Sequence, residues 1–262
     1  MSCELSIDQL AEIAIDVVRV GMAIALDPPC DLAVDTKSNR NDLVTAVDRA
    51  IEEEIAARLE EATGLPLLGE EGHAVDSFAG SVWVLDPIDG TMNYVETHRD
   101  YAVSLALCED GEPVLGVVAD VVGGHVCHAI RGRGAWLDGV PLPRAQDASS
   151  YREAIVITDI KEILALSRLA RALQESRGHR RYGSAALECV EVARGRAGAF
   201  VHMWVSPWDI AAATLIATEC GALATRLDGT SLDVRYKGSF LLATPGVHAS
   251  LVERLMTSVQ EG

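Results

Sequence analysis

Trp83-Val84-Leu85-Asp86-Pro87-Ile88-Asp89-Gly90-Thr91-Met92-Asn93-Tyr94 is the stretch from which the rest of the chain can be read. An apolar run of strand character delivers two carboxylates three residues apart and stops at once in a Pro/Gly turn. Pro87 removes a backbone donor and biases Asp86 toward extended geometry, while Gly90 permits positive φ directly after Asp89. Acid groups held on a stiff corner suit a hard cation, which takes oxygen ligands. A second acidic pair, Glu70-Glu71, follows another short strand-like run at 65–69. The chemistry suggested is Mg²⁺-dependent work on a phosphate ester.

Outward from this corner the chain divides by pattern. Upstream, residues 6–26 place Leu10, Ile13, Ala14, Val17, Val18 and Gly21 on one stripe with acids opposite, and Ser6 with Gln9 resembles a capping box. The spacing predicts an amphipathic helix that ends before Pro28-Pro29. A second helix is predicted over 42–62, opening at Asp42, with Leu43, Val47, Ile51 and Ile55 on one face and Gly64 and Pro66 closing it. The polar stretch 36–41 between them reads as a loop. Downstream, strands at 101–108, 114–122, 125–131 and 135–137 are separated by Glu109-Asp110-Gly111-Glu112, Gly123-Gly124 and Gly132-Arg133-Gly134, the pattern of an antiparallel meander. Polar residues gather around 143–150, a plausible boundary. The second half alternates instead: strands at 154–158, 199–202, 222–227 and 240–244, helices at 162–177, 183–195, 209–220 and 246–259, which argues α/β layering.

Composition limits the function classes. The formal charge of −17 repels nucleic acid and anionic membranes, so a phosphate substrate needs cations where it binds. No stretch approaches the ~18 uninterrupted apolar residues of a membrane span, and the acid-bearing start lacks the features of a signal peptide. Six cysteines, Cys3, Cys30, Cys108, Cys127, Cys189 and Cys220, show no metal-ligand spacing and read as reduced thiols of a cytoplasmic protein.

Four acidic positions come from separate parts of the chain: Glu70, the Asp86/Asp89 pair, and Asp209 in Val205-Ser206-Pro207-Trp208-Asp209. Taken alone, Asp209 reads as a helix cap and Glu70-Glu71 as a solvated turn. A few carboxylates and a substrate phosphate suffice for Mg²⁺, which keeps several waters, and two such ions can serve an in-line displacement together.

Gly69-Glu70-Glu71, the 83–93 segment and Trp208-Asp209-Ile210-Ala211-Ala212, in this order and spacing, resemble the signature motifs of the inositol monophosphatase family, within the Mg²⁺-dependent, lithium-sensitive type of phosphatase. Asp42-Leu43-Val44-Thr45-Ala46-Val47-Asp48 is similar to a further family motif, and Gly183-Ser184-Ala185-Ala186 to its substrate-side glycine segment. The resemblance covers nearly the whole chain. It implies an α+β and α/β fold, a layered α-β-α-β-α sandwich of the sugar-phosphatase type. The first half, 1–146, would be the metal-binding part with an antiparallel sheet. The second, 147–262, would be the substrate part, with a mixed sheet, in one unit. It further implies two or three Mg²⁺ ions on Glu70, Asp86, the Ile88 carbonyl, Asp89 and Asp209, with Asp86 bridging. Thr91 and Asp48 would orient the attacking water, and Glu70 would share in its activation. Gly90 and Thr91 would offer N–H groups to the phosphate at a helix N-terminus, which backbone physics also favours. Lys37 lies in the loop that covers the metals in the family. Substrate contacts would come from Asp89, Gly90, Thr91, Gly183, Ser184, Ala185, His202 and Asp209, and a homodimer is implied.

One position departs from the pattern. Inositol-specific members carry an acid a few residues before the Trp-Asp motif, where this chain has His202. A carboxylate accepts from two hydroxyls, whereas neutral imidazole has one acceptor nitrogen. The change leaves a small phosphomonoester as the substrate class and opens histidinol phosphate, fructose 1,6-bisphosphate and 3'-phosphoadenosine compounds as alternatives. A different class of reading is a regulatory binding protein that keeps the fold without the chemistry, which the intact acidic set argues against.

Overall fold

An antiparallel pair of short strands leads into the second helix, and it changes where that helix begins. The structure is a computed structural model that describes residues 5–29, 34–36, 43–147 and 150–256. In it β1 (Val34–Thr36) pairs antiparallel with β2 (Leu43–Thr45). The second helix therefore starts at Ala46 rather than at Asp42, which lies with Lys37 outside the described residues. The reason is local. Thr45 is the N-cap: its hydroxyl accepts the N–H groups of Val47 and Asp48 at 3.1 and 3.2 Å, and the Asp48 carboxylate accepts the Thr45 N–H at 3.0 Å. That reciprocal box satisfies donors a helix start leaves open, so Leu43 belongs to a strand and not to the helix face.

The first helix, α1 (Ile7–Leu26), begins at the predicted Ser6/Gln9 capping box and ends at Asp27. With α2 (Ala46–Thr63) it covers one face of a seven-stranded sheet, and their buried Ala14, Val17, Val18, Ile51, Ile55 and Leu59 pack on Trp83, Leu85, Val103 and Leu105 of that face. The sheet runs β3 (Leu67–Gly69), β4 (Ser81–Asp89), β5 (Ala102–Glu109), β6 (Glu112–Asp120), β7 (His125–Ile130), β8 (Gly134–Leu137) and β9 (Val140–Pro141) in spatial as in chain order. Every pairing is antiparallel except β3 with β4. The predicted meander is present.

In the second half, β10 (Ile155–Ile157), β11 (Gly178–Arg180), β12 (Ala199–Val205), β13 (Leu223–Thr225) and β14 (Gly238–Ala243) form a mixed sheet in the order β11-β10-β12-β14-β13. The single helix predicted over 162–177 is two, α3 (Ile160–Ala165) and α4 (Ser167–Glu175), because Leu166 between them takes extended backbone and packs into the outer core. Next come α5 (Ala185–Ala193), α6 (Pro207–Glu219) and α7 (Pro245–Met256). Residues Ile210 to Ala217 of α6 are all buried, and a helix apolar on every side belongs in an interior layer. With α5 it lies between the two sheets, while α3, α4 and α7 cover the outer face of the second. The layers are α-β-α-β-α. Of the six cysteines, the four in the described residues are buried and unpaired.

Candidate active site

The strand β4 is buried from Val82 to Asp89 and carries its acids to the C-terminal end. Residues three apart on a regular strand point to opposite faces, which would send Asp86 and Asp89 apart. A bulge prevents this: Asp86 pairs with Ser104 but Asp89 with Ala102, so three steps on β4 match two on β5. The extra residue restores both acids to one side. Pro87 suits the place because it has no N–H to lose from the ladder, and β3 has already ended its pairing at Leu85. The Asp86 Oδ1 accepts the Ile88 N–H at 3.1 Å, which stiffens the corner.

Each further acid is held by its own local device. Asp89 reaches across to α5, where its carboxylate accepts the Ser184 hydroxyl at 2.5 Å and the N–H groups of Ala185 and Ala186 at 3.2 and 2.6 Å. It thus caps a helix 95 residues downstream in sequence, and those donors together with the helix dipole favour its charged form. Asp209 is the third residue of α6 and accepts the Ser206 N–H at 2.7 Å in a capping box. Asp48, buried, accepts from the Thr91 hydroxyl at 3.2 Å, and that hydroxyl also lies 3.2 Å from the Ile88 carbonyl. Glu70 follows directly on β3, its N–H given to the Leu85 carbonyl at 3.2 Å.

These groups meet at a cleft of ≈ 610 Å³ lined by Glu70, Asp86, Ile88, Asp89, Gly90, Thr91, Gly183 and Asp209. Burial, then the charges of Glu70, Asp89 and Asp209, pushes the Asp86 carboxyl well above the ordinary range. Burial raises Asp89 to about 6 against the opposing hydrogen bonds from Ser184, Ala186 and Ala185. Asp209 is raised by burial, with the Ser206 N–H opposing and the charges of Asp89 and Glu70 adding to it. Asp48 is raised by burial as well. Like charges gathered out of water are costly unless a cation joins them. Among the described residues no three His, Cys, Asp or Glu side chains close on one point as a structural metal cage does. The carboxylates form an open wall, which fits a hydrated oxygen-seeking ion such as Mg²⁺ better than zinc.

The remaining predicted positions fall differently. Gly90 and Gly183 both take positive φ, +99° and +97°, and a Cβ on Gly183 would stand 2.7 Å from the Asn93 side-chain nitrogen. That nitrogen donates to the Asp100 and Tyr182 carbonyls at 2.8 and 2.7 Å, tying the two turns together. Ser184 and Ala185 are engaged with Asp89 and are not among the cleft-lining residues. The helix expected behind Gly90-Thr91 is present but short: residues 91–97 are helical, the last five as a π-type turn, and the Tyr94 N–H donates to the Gly90 carbonyl at 3.0 Å. His202 does not line the cleft either. Burial, reinforced by Arg181, lowers it to about 4, and its Nδ1 accepts the Trp204 N–H at 3.1 Å, leaving the ring proton on Nε2. It stands 3.6 Å from the fully buried Glu162.

Several residues at the cleft carried little sequence signal. Asp159, Lys161 and Arg181 form its other wall, and Arg181 bridges Asp159 at 2.9 Å and Glu188 at 2.7 Å. A basic run at 177–181 hints at a local cluster, but only the fold selects Arg181 from it.

A five-layer sandwich with a wall of buried and half-buried carboxylates facing a polar cleft defines a metal-assisted phosphatase class. The chain belongs to the inositol monophosphatase family, whose sequence model matches residues 6–261. It is 38% identical to the inositol-1-monophosphatase of Bacillus subtilis (strain 168) over 234 residues, which cover 86% of this chain and 88% of that one. Its fold matches an inositol monophosphate-bound SaIMPase-II with a TM-score of 0.84 at 30% identity, covering 94% and 93% of the two chains. It also matches an IMPase/NADP phosphatase complexed with Mg²⁺ and phosphate with a TM-score of 0.89 at 26% identity, over 96% of each chain. The protein is a phosphoric monoester hydrolase of this Mg²⁺-dependent family.

Proposed function

We propose that the protein hydrolyses a small phosphomonoester of the inositol-1-phosphate type, with two or three Mg²⁺ ions held by Glu70, Asp86, the Ile88 carbonyl, Asp89 and Asp209. The observation that carries this reading is the gathering of Glu70, Asp86, Asp89 and Asp209, from three separate segments, on one cleft, with the acidities of Asp86, Asp89 and Asp209 suppressed. When bound, Mg²⁺ supplies a Lewis acid for phosphate oxygens and lowers the pKa of water. The protein's own groups supply position. Asp48 holds the Thr91 hydroxyl, so that the Thr91 oxygen presents a lone pair toward the cleft and orients a water in line with phosphorus. Gly90 and Thr91 face the phosphate from the corner, and Asp89, already neutralised in part by the α5 donors, keeps a second oxygen direction for the cation. Held geometry of this kind replaces lost orientational entropy and leaves no need for a covalent enzyme intermediate.

In this reading 1–146 is the metal half and 147–262 the half that meets the leaving group, with Gly183, Ser184, Ala185 and His202 on that side. Lys161 and Arg181 on the cleft wall favour, as a second reading, a leaving group with an anionic group of its own. We place the protein in the cytoplasm, supported by its buried unpaired cysteines, and as a homodimer, which light scattering tests. No described helix is long and apolar enough to cross a membrane. The test of function is phosphate release from inositol phosphates, histidinol phosphate, fructose 1,6-bisphosphate and 3'-phosphoadenosine compounds, with and without Mg²⁺. Release that needs Mg²⁺ is expected; none from any ester would favour a binding role instead.

A further inference from the structure

Glu52 lies on α2 one turn beyond Asp48, and the two acids are 2% and 1% exposed. Residues i and i+4 project from one helix face, so α2 brings both carboxylates to the same end of the sheet. Asp48 goes to Thr91. Glu52 goes into the turn that carries Glu70. One of its oxygens accepts the Glu71 N–H at 2.8 Å, and the other accepts the His73 N–H at 3.1 Å and stands 2.9 Å from the His73 Nδ1. A Cβ on Gly69 would lie 2.4 Å from this carboxyl, so only glycine there lets the carboxylate rest against the turn. From the other side, the Gly69 N–H to the His73 carbonyl at 2.9 Å and the Glu70 N–H to the Leu85 carbonyl at 3.2 Å close the loop.

These bonds fix the backbone on both sides of Glu70. A buried carboxylate is an expensive way to fill space, since an apolar side chain of similar volume stabilises a core as well or better. What a carboxylate adds is direction: it takes several N–H donors at defined angles, and charge-assisted bonds are stronger than neutral ones. The geometry points to Glu52 as a positioning residue that locks the 69–73 turn in the conformation from which the Glu70 carboxylate faces the cleft beside Asp86. The assignment rests on the Mg²⁺-phosphatase reading. It extends that reading to a residue that lies outside the cleft wall.

The test uses the full chain with Glu52→Gln and Glu52→Ala, read by calorimetric titration with Mg²⁺ or Mn²⁺ alone and, separately, by phosphate release. Loss of an outer partner of a metal ligand typically costs about 10–100-fold in metal affinity, and a weakening of that size is expected in both variants, with a matching rise in half-saturating Mg²⁺. Glu52→Gln keeps the size and one acceptor oxygen, so it serves if the alanine variant fails to fold. Leu251→Ala, fully buried in the outer core, should lower Tm without changing metal affinity, which separates positioning from general stability. Wild-type metal affinity in a folded Glu52→Gln overturns the assignment alone. Absence of divalent-ion binding and of hydrolysis in the wild type overturns the phosphatase reading first, and the assignment with it.

Discussion

Replacing Asp89 with asparagine should separate stability from function, because the same burial that suits the acid to a cation makes it costly without one. Its folded pKa of about 6 stands some two units above the ordinary 3.8, and at about 1.4 kcal/mol per unit the charged form costs on the order of 3 kcal/mol. The sign follows from linkage: a carboxyl whose pKa is raised by folding stabilises below about pH 4, and that contribution is lost as pH rises through about 6. Above that, Asp89→Asn removes the charge cost. It also turns an amide N–H₂ toward donors that now point at oxygen, from Ser184, Ala185 and Ala186, a mismatch of about 1–2 kcal/mol. The net gain without divalent ions at pH 7.5 is about 1–2 kcal/mol, or a Tm rise of roughly 2–4 °C for a chain of this size. With Mg²⁺ at about 100 times its Kd the wild type gains about 2.7 kcal/mol by mass action, and the variant loses most of this. The order of the two Tm values should therefore cross when Mg²⁺ is added, while turnover in the variant is abolished. Scanning calorimetry with EDTA and with Mg²⁺, from pH 4 to 8, measures both arms. A variant less stable than the wild type in EDTA, or the same order in both conditions, refutes the reasoning.

Other outcomes follow from single contacts. Thr91→Ala removes the hydroxyl that Asp48 and the Ile88 carbonyl share and should lower kcat by about 10²-fold or more with KM little changed; an unchanged kcat would show that this hydroxyl orients no water. Gly183→Ala forces a side chain into φ +97° against Asn93, so a loss of at least about 1 kcal/mol in denaturant unfolding and impaired turnover are expected. His202→Ala should leave hydrolysis of a plain aryl phosphate within about threefold of wild type, since the ring does not line the cleft; a collapse of kcat on that substrate would bring His202 into the chemistry. Its effect on inositol phosphates against fructose 1,6-bisphosphate then reports whether it touches the leaving group.

Local pattern was enough for elements whose signals are short-range. The Ser6/Gln9 box, the α1 stripe and the glycine-punctuated meander are written within a few residues of where they act, and all three stand in the fold. The start of α2 is not set by local pattern, because Asp and Thr both cap well, and the β1–β2 pairing, invisible in such short strands, decides for Thr45. The break at Leu166 has the same origin: helical propensity continues through it, and packing into the outer core overrides that propensity.

The family, the layering and the acidic inventory are all legible along the chain, because motif spacing and alternation survive without knowledge of distant contacts. How those acids face one another depends on contacts between distant segments. Asp86 and Asp89 share a side because the bulge against β5 inserts one residue, a matter of register between strands. Asp89 is held by α5, and Glu71 and His73 in the turn after Glu70 by Glu52, through contacts 95 to 97 and 19 to 21 residues apart in sequence. Lys161 and Arg181 reach the cleft, and His202 stays behind it, for the same reason. A one-dimensional pattern encodes which faces are apolar; the aim of a polar group depends on which distant donor takes it, and that is set only when the layers close.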